Sequence, residues 1–346
     1  NRLSQLLDGI AKRIKYIDML KAFCIILVIA GHMGYTPAKA KLLLYIFHIP
    51  LFFFLSGMTL NVEKYDSIIQ FFSKKFKVIV IPCFLMNISI FFIKSVILQP
   101  QLILKIDILY FIKALILADR MHMYYQLWFL NVLFLAELVC YFAIKYSDTL
   151  YKYLIVFIVL ILCGSLGKKL YEMEFWLIWS FDLVPYASIF ILSGYVLRKN
   201  IANMQNYLKK LYFIPVLAVS LVCGVYNTRV DLYYQQINST ILYFVAAFFG
   251  IWACLIFFVN IPNLYVLEKI GGNTLIYYAY HSPIVLYILD IIMGQLAIRY
   301  TGIFVNNYII AGVELVLAIC FCEVIAKIIN NSFPFLLGKK INKKVA

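Results

Sequence analysis

Long apolar runs divided by short polar punctuation limit this chain's fold more than any other feature. Stretches of about 17 to 25 predominantly apolar residues have the length a helix needs to cross a bilayer. Ten can be read: 18–35, 42–60, 78–98, 126–144, 153–167, 175–197, 211–226, 240–259, 273–293 and 307–326. The fifth is short. The sixth has a second reading, in which the helix starts near Asp182 and leaves 171–181 as an interfacial segment. Composition agrees: 64% of residues are hydrophobic, 14% are charged, and the mean hydropathy is +0.91, whereas a soluble domain is nearer half apolar and a quarter charged. The expected fold is an all-α integral membrane bundle of about ten transmembrane helices, a single domain over 1–346, with no stretch polar enough for a separate soluble domain. Residues 1–21 are basic and polar, and no A-x-A-like site follows the first apolar run, so no cleaved signal peptide is expected.

Charge orients the spans. With the N-terminus inside, 21 of the 31 Lys and Arg residues fall in cytoplasmic segments, 9 fall outside, and Lys94 lies within the third run. That asymmetry predicts both termini, with basic ends at 1–17 and 327–346, on the cytoplasmic side of a cell (inner or plasma) membrane. The net charge of +15 is thereby explained by topology and the membrane lipid it faces, without nucleic acid. The eight cysteines show no CxxC spacing. In apolar runs they behave as small hydrophobes, so neither a disulfide nor a metal site is expected.

Two segments echo each other: "FFFLSGM" (52–58) and "IFILSGY" (189–195), both on helices expected to run inward. Ser and Gly at such positions let two helices approach closely. The other informative residues are ionisable groups at membrane depth, which are expensive and so point to function. His32 ends the first run and His48 lies in the second. At about 1.5 Å per residue they sit about 6 and about 10 Å below the outer surface, on antiparallel neighbours, where both can face one water-accessible pocket. Each has an ordinary alternative as an interhelical hydrogen-bond partner; for His48, Pro50 supplies a freed carbonyl. His281 lies mid-span before a small residue and Pro283, and His122 lies in the outer segment 99–125. Asp18 and Lys21 can pair at i,i+3 at the inner entry of the first span. Asn131, Glu137, Glu314 and Glu323 are polar groups in apolar surroundings, where a buried Glu needs a cation or a proton. Lys74, Lys75 and Lys77 crowd the inner mouth of the third span, where ammonium groups would meet the phosphates of a cytosolic ligand. Lys94 is expected to snorkel to the outer interface.

"RIKYIDMLKAFCIILVIAGH" (13–32), "FHIPLFFFLSGM" (47–58), "KKFKVIVIP" (74–82), "LWFLNVLF" (127–134), "SIFILSGYVLRK" (188–199) and "GNTLIYYAYHSPIV" (272–285) together resemble the membrane-bound acyltransferase-3 family, in the same order and over almost the whole chain. More narrowly, they resemble its fucose 4-O-acetylase-like branch. The resemblance implies a ten-helix enzyme that moves an acyl group, usually acetyl, from cytosolic acetyl-CoA to a hydroxyl of a cell-surface glycan or lipid-linked sugar. The family's essential histidine falls on His32, so the catalytic candidates are His32, His48 and Asp18. The family's basic motif, often Arg-x-x-Arg, falls on Lys74 and Lys77 at the same spacing, and lysine cannot make the bidentate fork to phosphate. With Lys75 and Arg13 these are the donor-binding candidates. Trp128, Asn131, His122 and His281 are the acceptor-side candidates.

A neutral imidazole with an ordinary pKa near ~6.5 can take the proton of an attacking sugar hydroxyl or carry the acyl group as acyl-histidine. The residues alone leave a competing class open. Ten helices with intramembrane His and Glu also suit a polysaccharide or small-metabolite exporter, whose mark would be inverted repeats with paired broken helices.

Overall fold

The computed structural model describes residues 15–99, 108–118, 120, 127–147, 149–299 and 307–339. It is helical, with one isolated β-bridge between Asp231 and Gln236 and no strand among the described residues. Eight described helices are long and apolar enough to cross a membrane: Ala38–Thr59, Ile68–Leu98, Trp128–Tyr146, Leu150–Glu172, Ile178–Asn200, Thr240–Asn260, Thr274–Gln295 and Tyr308–Ser332. The chain is an all-α, integral, multi-pass membrane protein. The remaining two expected spans are the 18-residue helix Lys15–His32 and the shorter apolar segment Lys210–Tyr226.

We number the helices α1 (Lys15–His32), α2 (Ala38–Tyr45), α3 (His48–Thr59), α4 (Ile68–Leu98), α5 (Ile108–Leu117), α6 (Trp128–Tyr146), α7 (Leu150–Glu172), α8 (Val184–Met204), α9 (Phe213–Tyr226), α10 (Thr240–Asn260), α11 (Tyr265–Gly271), α12 (Thr274–Gln295) and α13 (Asn307–Ser332). The short fifth run becomes the 23-residue α7, because Lys168 and Lys169 do not stop the helix and it extends to Glu172. The second reading of the sixth run is the better one. A 3-10 turn over Ile178–Leu183, with Trp179 and Ser180 in the left-handed region, precedes α8 at Val184. The segment 99–125 contains the apolar helix α5.

Proline chemistry shapes several helices. Pro50 lacks an N–H and its ring crowds the carbonyl four residues earlier. The second span accordingly breaks at Ile46–Phe47, so that His48 opens α3 instead of lying inside a continuous helix. Wide π-type turns occur at Phe76–Val80, just before Pro82, and at His281–Leu286, around Pro283. π-type turns inside helices are frequently found at functional sites.

The chain packs as two compact units. The first is drawn from the segments ending at Leu60, Phe190–Tyr278 and Leu286–Phe321. Its tightest joint is the crossing of α3 and α8 at the two echoing segments. A Cβ on Gly57 would lie 1.9 Å from the carbonyl oxygen of Ile191, and one on Gly194 would lie 2.0 Å from that of Phe54. The echo is therefore a reciprocal contact, each glycine receiving the other helix's backbone. Gly271 does the same for α1, where a Cβ would come 1.9 Å from the Asp18 carbonyl.

The second unit is drawn from Asn61–Ile189, Ala279–Val285 and the segment from Cys322 onward. Gly164 and Gly167 bring α7 against Tyr186 and the Asp182 backbone. Beside them Arg120 grips Asp182 with both nitrogens, at 2.9 and 2.5 Å, and covers the Tyr171 ring. The charge asymmetry assigns Arg120, within 99–125, to an outer loop; it is 5% exposed and lies in a buried ion pair.

Candidate functional site

In the first unit the residues converge on Tyr45. Helix α1 ends at His32, and the chain turns back through 33–37, where the Thr36 hydroxyl donates to the Ala30 carbonyl at 2.6 Å. Pro37 then starts α2. The turn places the Tyr45 ring against Gly31, where a Cβ would stand 3.0 Å from the ring edge. The same ring meets His48 edge-on, with centroids 4.9 Å apart. The break between α2 and α3 is held by glycines opposite. Gly224 on α9 leaves room for Ile46, and Gly250 on α10 leaves room for Phe47.

The two histidines are within range of one another's charge, and they differ in exposure. His32 is an exposed residue, whereas His48 is 4% exposed. His48 Nδ1 lies 2.6 Å from the Leu44 carbonyl oxygen. A carbonyl only accepts, so Nδ1 carries the proton, and a neutral ring keeps Nε2 as its acceptor. The carbonyl used is that of Leu44, one turn back. Pro50 acts indirectly, through the helix break.

Further polar groups gather near the His32 end of α1. Lys41, one turn before Tyr45, is within electrostatic range of His32 and of Glu314. Glu314 on α13 is fully buried, and neither carboxylate oxygen is in good hydrogen-bonding geometry with a described group. The Tyr35 backbone amide and Asp290 lie close to it, and Asp290 Oδ1 reaches to 3.5 Å from where a Cβ of Gly34 would be. A buried carboxylate held only by loosely aligned partners calls for an explanation, and a functional role is one. On the loop after α9, Arg229 lies over the Tyr45 ring at 5.9 Å and pairs with Asp231 at 3.6 Å. Burial pushes the Asp231 carboxyl above its usual range, against the opposing pull of the Tyr233 N–H and Arg229.

Asp18 is at the opposite end of α1. Fourteen residues separate it from His32, about 21 Å along a helix, so the two do not meet; Asp18 is buried against Gly271.

The second unit holds the remaining candidates. Lys74 and Lys77 are exposed. Lys75 is not equivalent to them: its Nζ lies 2.7 Å from Glu137 Oε2, an ion pair without good hydrogen-bond angles, with side chains 17% and 5% exposed. Asn131 is fully buried beside Cys83, whose Sγ is 3.7 Å from its Oδ1, and Trp128 opens α6 half-buried. His281 is 3% exposed and follows Tyr280, whose hydroxyl is 2.6 Å from that of Ser89. Arg13 and His122 lie outside the described residues. Among the described residues no group of three or more His, Cys, Asp or Glu side chains is arranged to hold a metal ion.

Tyr45, Lys41, Arg229 and Asp231 escaped the sequence reading. For Tyr45 a local signal existed, its i,i+3 spacing to His48. For Arg229 and Asp231 none did, because a loop some 180 residues away in sequence supplies them.

Comparison with known proteins gives one family match: the Acyl_transf_3 family, described as an acyltransferase domain, matches residues 14–327. No curated protein and no solved structure gives a significant match.

Proposed function

Because the chain belongs to the acyltransferase-3 family, we propose that this membrane acyltransferase takes an acyl group, acetyl in the first instance, from cytosolic acyl-CoA and passes it to a sugar hydroxyl of a cell-surface glycan or lipid-linked sugar. Family membership favours acyl transfer over the exporter that the residues alone left open. The observation that carries the reading is the exposed residue His32 beside a buried His48 whose Nδ1 is already committed to Leu44. The branch resemblance in the sequence favours a sugar as the acceptor.

In this reading His32 accepts the proton of the acceptor hydroxyl as the oxygen attacks the thioester carbonyl. A C–O bond forms, the C–S bond breaks, and the leaving thiolate takes the proton from the imidazolium. The same ring nitrogen can instead attack first and hold the acyl group until the hydroxyl displaces it. His48 and Tyr45 form the wall behind the reacting centre. The nucleotide end of the donor is held on the cytoplasmic side by Lys74 and Lys77. Lys75, neutralised by Glu137, contributes to the fold of that region more than to charge. Asp18, buried against Gly271 at the other end of α1, is too far from His32 to share its proton transfer; Trp128, Asn131, His122 and His281 remain proposed acceptor contacts.

The test is incubation of membranes holding the protein with acetyl-labelled CoA and the native surface polysaccharide. Label should enter the polysaccharide as a base-labile ester; label that stays in CoA or free acetate sinks the proposal. Within the same assay, Lys74→Gln with Lys77→Gln should raise the acetyl-CoA KM about tenfold, since both lysines are exposed and an exposed ion pair is worth up to about 1 kcal/mol. Lys75→Gln alone should instead lower the amount of folded protein, because it strands the Glu137 carboxylate. An unchanged KM in the double variant would move the donor site elsewhere.

Orientation is tested by thiol labelling. Among the described cysteines only Cys163, Cys223 and Cys320 are not buried, so these alone need replacement. A cysteine at Gln236, an exposed loop position, should react with an impermeant reagent in intact cells. One at Lys64, also exposed, should react only after the membrane is opened. The reverse pattern would put the histidines on the cytosolic side and remove the need for transfer across the bilayer.

A further inference from the structure

The segment 227–239 between α9 and α10 is folded back on itself. Asn227 is the clasp: its Nδ2 donates to the Ile237 carbonyl at 3.0 Å, and its Oδ1 accepts from the Ser239 amide at 2.9 Å. Asn238 closes the other side, its Nδ2 donating to the carbonyls of Asn227 and Arg229 at 2.7 and 2.9 Å. Asp231 and Gln236 exchange backbone hydrogen bonds at 2.8 and 3.0 Å. Thr228, Gln235 and Asn238 all take positive φ, at 61°, 54° and 56°. That conformation is costly for residues with a side chain and persists only where the surroundings enforce it. Ile237, Val230 and Leu232 are buried beneath the loop.

Such a loop presents fixed groups. Arg229 lies across the Tyr45 ring, and Asp231 and Tyr234 are within electrostatic range of the same tyrosine. Tyr45 in turn backs onto His48 and onto Gly31, the residue before His32. Among the exposed residues of the loop are Arg229, 61% exposed in its side chain, and Tyr234, 53% exposed. The Asp231 side chain is 9% exposed, so it holds Arg229 in place more than it meets a ligand. Arg229 and Asp231 are the only charged residues in 227–239, and they cancel.

We propose that this loop is the acceptor platform and that it takes a neutral sugar ring. Tyr234 offers an aromatic face for the ring's C–H surface, Arg229 donates to its hydroxyls, and Asp231 positions Arg229. The proposal deepens the acyl-transfer reading, on which it rests for the identity of the reacting hydroxyl. Pre-organisation is what makes such a platform effective, since no ordering cost is left for the moment of binding. A net-neutral Arg–Asp pair gives no advantage to an acidic sugar.

The test uses the full chain in lipid nanodiscs, without donor. Binding of the methyl pyranosides of glucose, galactose, mannose and fucose, and of methyl glucuronide, is measured by saturation-transfer NMR and calorimetry. At least one neutral pyranoside should bind, and Tyr234→Ala and Arg229→Met should each weaken it about tenfold. Asp231→Asn should weaken the same binding and Asp231→Glu recover it, which loss of fold would not do. Acetyl-CoA binding should be unchanged in all four variants. No binding of any neutral sugar by the unaltered protein, equal binding in the variants, or preference for the glucuronide overturns the platform. If neutral sugars bind in this variant-sensitive way and labelled acetyl still never reaches a sugar, the platform stands and the acyl-transfer reading falls.

Discussion

Gly57→Ala is expected to leave little folded protein in the membrane. The new Cβ would stand 1.9 Å from the Ile191 carbonyl oxygen, 2.7 Å from its carbon and 3.0 Å from its Cα. Carbon and oxygen settle at about 3.3 Å or more when they meet without a bond. The three nearest atoms are all backbone, so no rotamer change relieves the overlap. The helices must instead separate by more than an ångström, and Phe53, Phe54, Leu55, Phe190 and Leu192, all buried, lose packing together. Cavities around side chains of this size cost about 2–5 kcal/mol each, against a total stability of about 5–15 kcal/mol. Gly194→Ala should behave alike, with its Cβ 2.0 Å from the Phe54 carbonyl. Gly294→Ala is the control, because nothing lies within 4 Å of its Cβ. The measurement is the monodisperse yield and thermal midpoint in detergent. Yields of Gly57→Ala and Gly294→Ala that match would remove the α3–α8 crossing from the fold.

That crossing was half legible. The repeated LSG and its preference for close helix approach are local facts of sequence, but periodicity does not say which helix lies opposite. The spans themselves were readable because a bilayer imposes one length on every helix. Their interruptions were less so. Pro50 marks a break, yet whether the chain breaks or kinks depends on what receives it, here Gly224 and Gly250. Arg120 is the clearest case of information absent from local pattern. By composition it is one more outer charge, and only the fold brings Asp182, 62 positions away, into a bidentate grip. The cluster Lys74, Lys75 and Lys77 looks uniform in sequence, but Glu137 on another helix takes Lys75 out of it. At the site, the histidines were legible because an imidazole in an apolar run is costly. Tyr45, between them, is an unremarkable residue in a chain with 27 tyrosines.

His32→Ala is expected to abolish transfer while the protein inserts and folds as before. The two halves of that statement have separate grounds. His32 is an exposed residue at the very end of its helix, so its removal takes little from the packed core. The neighbouring support, Gly31 against Tyr45 and Tyr45 against His48, is untouched. Losing a general base or acyl carrier typically costs about 10²–10⁴ in rate, so acetylated product should fall below one part in a hundred. His48→Ala is the instructive contrast. It deletes a buried ring that bonds the Leu44 carbonyl where α2 meets α3, and it should lower the thermal midpoint as well as the rate. His32→Gln keeps the size and a hydrogen-bonding group but cannot take a proton, so it should be as inactive as the alanine. The readout is acetyl transfer by purified protein at matched amounts, beside the thermal midpoint of each variant. Near-normal transfer by His32→Ala would remove His32 from the chemistry. Equal activity of His32→Gln and unaltered protein would leave the ring only a positional role, and the proton would then have to go to another group near Tyr45.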